Sequence, residues 1–168
     1  MNRRLLRLGI IVVLSVLFSF CSKKENGIYF NNDEVVESIY NQDHSKIEVE
    51  LFENINKHRN SIGQLELGFL NIVSTIANKH TNYMIDKNEV SHDNFNQRVA
   101  FLMSNAAARS VAENVAYGFN SSQGVLTGWL NSEAHRDIIE NTNFTHLGVS
   151  VETNIEGRNY FTLILIRK

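Results

Sequence analysis

Two imidazoles and one carboxylate, His92, Glu113 and His135, stand at segment boundaries beside small or turn-prone residues. Such a set can bind zinc with an open coordination position, or work as general acid and base. Spacing alone does not bring the three together, and scattered His and Glu residues commonly serve as solvated surface groups or local caps. His80 falls on an apolar helical stripe and reads as a satisfied core histidine, while His44, His58 and His146 have no evident partner. His135-Arg136-Asp137 looks like a kinase catalytic loop, but the asparagine spacing fails and no glycine-rich phosphate loop exists. Neither HExxH nor GxSxG occurs, so zincin and α/β-hydrolase chemistry lack their residues.

These side chains need a scaffold, and the pattern predicts one. Ile47, Leu51, Ile55 and Ile62 fall at helical spacing, with Gly63 as the stop. A second helix is predicted over Glu66 to Asp86, whose stripe runs through Phe69, Ile72, Val73, Ile76, Ala77, His80, Tyr83 and Met84. A third is predicted over Asn94 to Met103. A fourth starts near Ser121 or Ser122 and carries Val125, Leu126 and Trp129, which places Trp129 in the core. The period then changes to two: Leu147, Val149 and Val151 alternate with Gly148, Ser150 and Glu152, and Tyr160 to Ile166 follows a turn around Gly157. So short a connection makes an antiparallel hairpin. Helices first and a hairpin last predict an α+β fold. Asn114 is a candidate for holding a turn through its side chain, and Arg136 for pairing with Glu140 one helical turn on.

The first 20 residues do not belong to that scaffold. Arg3, Arg4 and Arg7 precede an apolar or small run from Leu8 to Phe20, and no acidic residue comes before Glu25. This reads as an export signal, and the run is shorter than the roughly 20 residues a spanning helix needs. Cys21 follows the run directly, an arrangement that resembles a bacterial lipoprotein signal whose cysteine becomes the lipidated first residue; Phe20 departs from the small residue usual before it. The expected organisation is a signal peptide at 1–20, a polar tether at 21–46 and one domain at 47–168. A short helix within the tether would put Val35, Val36 and Ile39 on one face. The protein is then expected to be exported and anchored to a membrane through lipid, facing the periplasm or cell surface, or otherwise secreted.

Composition sets the outer limits. The 168 residues hold 43% hydrophobic and 20% charged side chains, enough for one core and too apolar for wholesale disorder. One cysteine excludes an internal disulfide framework. The 16 basic and 18 acidic residues argue against a nucleic-acid partner, and losing the three N-terminal arginines leaves the chain more acidic still.

Several ordered motifs add a resemblance. "SHDNF" (91 to 95), "AENVAYG" (112 to 118), "GWLNSEAHRDIIENTNFTHLGVSV" (128 to 151) and "RNYFTLIL" (158 to 165) resemble the CAP superfamily of cysteine-rich secretory, antigen 5 and pathogenesis-related proteins, in its bacterial single-domain form. "LFENINKHRNSIG" (51 to 63) and "ANKHTNYM" (77 to 84) are similar to its opening helices. The resemblance implies a three-layer α-β-α sandwich with a central antiparallel sheet. It also implies a cleft that in many members carries two histidines and two glutamates able to bind a divalent metal. His92 and Glu113 match the first of each, whereas Ser132, beside Glu133, stands at the second glutamate and Tyr160 at the second histidine. Bacterial relatives place a histidine in the motif matched by "NSEAHR", which makes His135 the cleft imidazole.

Two functions follow as expectations. The first is a non-catalytic cell-envelope module whose cleft binds a lipid, glycan or peptide. The alternative is a hydrolase dependent on a divalent metal such as zinc, with His92 and His135 as ligands and Glu113 as ligand or general base.

Overall fold

A computed structural model describes residues 43–168, so the export signal, Cys21 and the helical turn expected around Val35 lie outside the described residues. The elements run α1 (Lys46–Ser61), β1 (Gly68–Phe69), α2 (Asn71–Lys87), α3 (Phe95–Asn105), β2 (Ser110–Tyr117), α4 (Ser122–Leu130), α5 (Glu133–Ile139), β3 (His146–Thr153) and β4 (Asn159–Arg167). None of these helices is long and apolar enough to cross a membrane.

Helix α1 starts where its chemistry says it should. The Ser45 side chain accepts from Glu48 N and Glu48 reaches back to Ser45 N, a reciprocal capping box. The other carboxylate oxygen of Glu48 accepts from Val151 N at 2.9 Å and so ties the helix to the sheet. Ser121 caps α4 by accepting from Gly124 N.

The sheet order is β1-β3-β4-β2. β3 and β4 form the expected hairpin, closed by Asn154, whose side chain accepts from Glu156 N and Arg158 N, and by Gly157 at φ +79°. β2 runs antiparallel to β4, while the two residues of β1 run parallel to β3. The sheet is therefore mixed: Gly68 and Phe69 extend along the start of β3 where the sequence pattern predicts the first turn of a helix.

Alternation along β4 makes the three layers. Phe161, Leu163 and Leu165 pack with Leu51, Ile55, Val125, Trp129 and Ile139 of α1, α4 and α5. Ile164 and Ile166 pack with Val73, Ile76, Phe101 and Leu102 of α2 and α3 on the opposite face. Gly148 permits the second contact, because a Cβ there would stand 2.2 Å from Ser74 N.

β2 carries the site and was hidden in the sequence. Its two faces read Val111, Glu113, Val115 and Ala112, Asn114, Ala116, so adjacent polar residues interrupt the two-residue period. Helix α5 was likewise not anticipated; it is short and begins at Ser132 without a side-chain cap.

Candidate functional site

Glu113 is the centre of the candidate site. On β2 it points toward the α2–α3 layer, and its side chain is 1% exposed. A buried carboxylate needs partners, and it has several. Arg98 of α3, itself fully buried, approaches with both prongs: Nε donates to Oε2 at 2.7 Å and Nη2 to Oε1 at 2.7 Å. His92 Nδ1 lies 2.8 Å from the same Oε1. An ionised carboxylate only accepts, so Nδ1 carries a proton, and in the neutral ring Nε2 is then the acceptor. The His92 side chain is 51% exposed, and the free nitrogen is the part of the cluster a ligand can reach.

The segment that carries His92 is held from below. It begins and ends at asparagines in the left-handed region, Asn88 (φ 52°) and Asn94 (φ 59°), a conformation asparagine tolerates better than most residues. His80 Nε2 donates to Ser91 O at 2.8 Å, Arg98 Nη1 to Asp93 O at 2.7 Å, and Tyr83 Oη to Asp93 Oδ2 at 2.9 Å. Arg98 thus fixes both the carboxylate and the backbone beside its histidine.

His135 enters from the other layer. Asn114 Nδ2 donates to His135 O at 3.0 Å, which links β2 to α5 one residue beyond Glu113. His135 Nδ1 is 2.7 Å from Ser132 Oγ. The His92 imidazole is near enough to act on the protonation of His135.

Burial by itself would raise the Glu113 carboxyl. The hydrogen bonds from His92 and Arg98, with the charges of Arg98 and His80, outweigh it and hold Glu113 below the usual carboxylate range. His80 moves down, chiefly through burial and further through Arg98 and His92, against the pull of Glu113 and the Ser91 carbonyl. His135 also moves down, through burial and then His92. Both histidines favour the neutral form.

Reasoning from sequence picked out His92, Glu113 and His135 but missed Arg98, whose only signal was a cation on the stripe of Phe101 and Leu102. It placed His80 in the core but not behind Glu113, where its Nε2 lies 3.7 Å from Oε1. Its Nδ1 is buried without a partner, so His80 is not the fully satisfied histidine expected. Asn114 holds no turn, because it lies within β2. Arg136 donates to Leu130 O instead of pairing with Glu140. Glu140 accepts from His58 Nε2 at 2.8 Å, and His44 and His146 meet Asn71 Oδ1 and Thr145 Oγ1.

The fit to a metal follows from these donors. Glu113 faces a guanidinium across both oxygens, which fills the place a cation would take and would repel one. His92 Nε2 remains a suitable nitrogen, with Glu113 as the partner that orients it. Among the described residues no group of three or more His, Cys, Asp or Glu side chains is placed to hold an ion. Cavities of about 420 Å³, bordered by Ser45, Glu50 and Ser121, and about 240 Å³, bordered by Asn54, His58 and Leu130, do not include the cluster.

Comparison with known proteins places this arrangement. Residues 52–165 match the family described as "CAP: Cysteine-rich secretory protein family". The uncharacterized protein YkwD of Bacillus subtilis (strain 168) is 32% identical over 108 residues, covering 62% of this chain and 42% of its own length. The chain spans less than half the length of the curated relatives it matches. An extracellular protein containing a SCP domain from Bacillus anthracis str. Ames superposes with a TM-score of 0.62 at 28% identity, covering 72% of this chain and 40% of that one. An outer surface protein from Borrelia burgdorferi shares the fold with a TM-score of 0.68 at 16% identity, covering 76% of this chain and 96% of that one.

Proposed function

Because the chain belongs to the CAP family of cysteine-rich secretory proteins, we propose that it is an extracytoplasmic binding module whose cleft, formed by His92, Glu113 and His135, holds a ligand without turning it over. The observation that carries this reading is the state of Glu113. With both oxygens bonded to Arg98 and the side chain sealed from solvent, the carboxylate does not serve as a general base or metal ligand toward a bound molecule. It orients His92, which offers Nε2 as a hydrogen-bond acceptor, and His135 supplies a second imidazole from the α5 side. A ligand with N–H or O–H donors suits that pair; peptides and glycans supply them.

The cell envelope is the setting we propose. The basic start, the apolar run and Cys21 support an exported chain held by lipid, with the polar residues that follow as its tether. Extracellular and outer-surface proteins among the structural neighbours agree with that setting.

The metal-dependent hydrolase remains the second reading, and one observation favours it: an imidazole whose inner N–H meets a carboxylate is a common arrangement for a metal-binding histidine. In it His92 and His135 supply nitrogens and Glu113 stands behind them. Calorimetric titration of the full chain with zinc separates the readings. The binding module gives no stoichiometric uptake, while tight one-to-one binding abolished by His92→Ala and by His135→Ala would overturn it. Membrane attachment is tested by Cys21→Ser, which is expected to release the protein into the soluble fraction; unchanged fractionation contradicts the anchor.

A further inference from the structure

The sheet has two edges, and the fold treats them differently. Beyond its short pairing with β1, β3 directs Val149 and Val151 outward, and their N–H groups donate to Ser74 Oγ at 3.1 Å and Glu48 Oε1 at 2.9 Å. Side chains thus take both outward donors of that edge. On β2, the bond from Gly118 N to Asn159 O at 2.8 Å sets the register: even-numbered residues bond to β4, and Val111, Glu113, Val115 and Tyr117 turn their main-chain groups outward. Trp129 Nε1 closes Val115 O at 3.2 Å. No described residue bonds the outward N–H or C=O of Val111, Glu113 or Tyr117, or the N–H of Val115. This open stretch runs beneath the residue that orients His92, and Asn114 ties its other flank to His135.

We propose that an extended peptide segment adds to β2 as a fifth strand, its main chain bonding Val111 and Glu113 while its side chains meet His92 and His135. The proposal rests on the reading of this cleft as a binding site and names its ligand class. Two outward residues, about 6.8 Å apart along a strand, present two donors and two acceptors in the order that only an extended main chain matches at once. A glycan or an acyl chain does not reproduce that order. Free edge donors are ordinarily covered or blunted, as those of Val149 and Val151 are along β3, so open donors and acceptors beside His92 and His135 distinguish β2.

The test uses the full chain, a random heptapeptide phage library and the synthetic peptides selected from it. A selected peptide is expected to slow hydrogen exchange at the Val111 and Glu113 amides at least tenfold and to shift the ring signals of His92 and His135. Val111→Pro removes an outward donor without touching the bonds to β4, and proline is tolerated at such edge positions. It is expected to weaken peptide binding at least tenfold. Should that variant fail to fold, exchange in the wild-type chain decides alone. A peptide that shifts both histidine rings but leaves both amides unprotected overturns strand addition and spares the cleft. If no peptide affects either, strand addition is overturned; an immobilised glycan whose binding is lost in His92→Ala would then uphold the cleft by itself.

Discussion

Arg59 and Arg98 are both sunk in this domain, and they use the same fork of donors in opposite ways. Arg59, 1% exposed, spends its donors on main-chain carbonyls: Leu65 O at 2.9 Å, Ile139 O at 2.6 Å and Asn141 O at 3.1 Å. No described carboxylate forms an ion pair with it, and burial lowers its pKa. It fastens the end of α1 to the end of α5. Arg98 bonds one carbonyl and a carboxylate that in turn orients a half-exposed histidine. A buried cation that meets only carbonyls is a structural pin, whereas one paired with an acid behind an exposed imidazole orients that imidazole at the surface.

Breaking the two pins should separate them. Arg98→Met strands Glu113 as an unpaired buried charge, which costs about 3–5 kcal/mol. Urea unfolding should report a loss of that order, and the partner change Glu113→Gln in the same chain should restore part of it. Additive losses would show that the two residues do not act as a pair. Arg59→Met leaves three carbonyls short of a charged donor, a loss of about 1.5–3 kcal/mol. It should leave the ring signals of His92 unmoved; a shift there would erase the distinction between the two arginines.

A smaller effect comes from pH. Below the unfolded imidazole value, about 6.5, the unfolded chain takes up a proton that folded His80 refuses, because its folded value is depressed. Stability should be full above about pH 6.5 and fall as the pH drops from there toward the folded value. His135 adds in the same direction. Glu113, a depressed carboxyl, keeps its contribution above the unfolded value of about 4.3 and loses it only as pH falls through its lower folded value. His80→Gln should flatten the slope below about pH 6.5; an unchanged slope would remove His80 from the account. The smallest effect on stability belongs to His92→Ala, within about 1 kcal/mol for so exposed a side chain, with a tenfold or greater loss of ligand binding. A large loss of stability instead would make His92 part of the frame.

The sequence made the frame legible where one physical signal acted alone. The hairpin of β3 and β4 showed its two-residue period, and α1 to α4 showed their apolar stripes, with Gly63 marking the end of α1 and Ser121 the start of α4. β2 did not, because Glu113 and Asn114 face opposite layers and replace apolar residues on both. The same residues that put the candidate site on β2 erase its pattern. Arg98 was hidden for a related reason: a buried cation is visible only once its acid is placed opposite it, and that contact joins α3 to β2. The two-residue β1 is too short to carry any period.

The central claim is that Arg98 and Glu113 fix His92 with its proton inward and its acceptor outward. Two-bond proton–nitrogen spectra of the labelled full chain at about pH 8, well above the ordinary imidazole value, read that tautomer directly. Nδ1–H with a bare Nε2 is the predicted result, lost in Glu113→Gln. Nε2–H in the wild-type chain would contradict it.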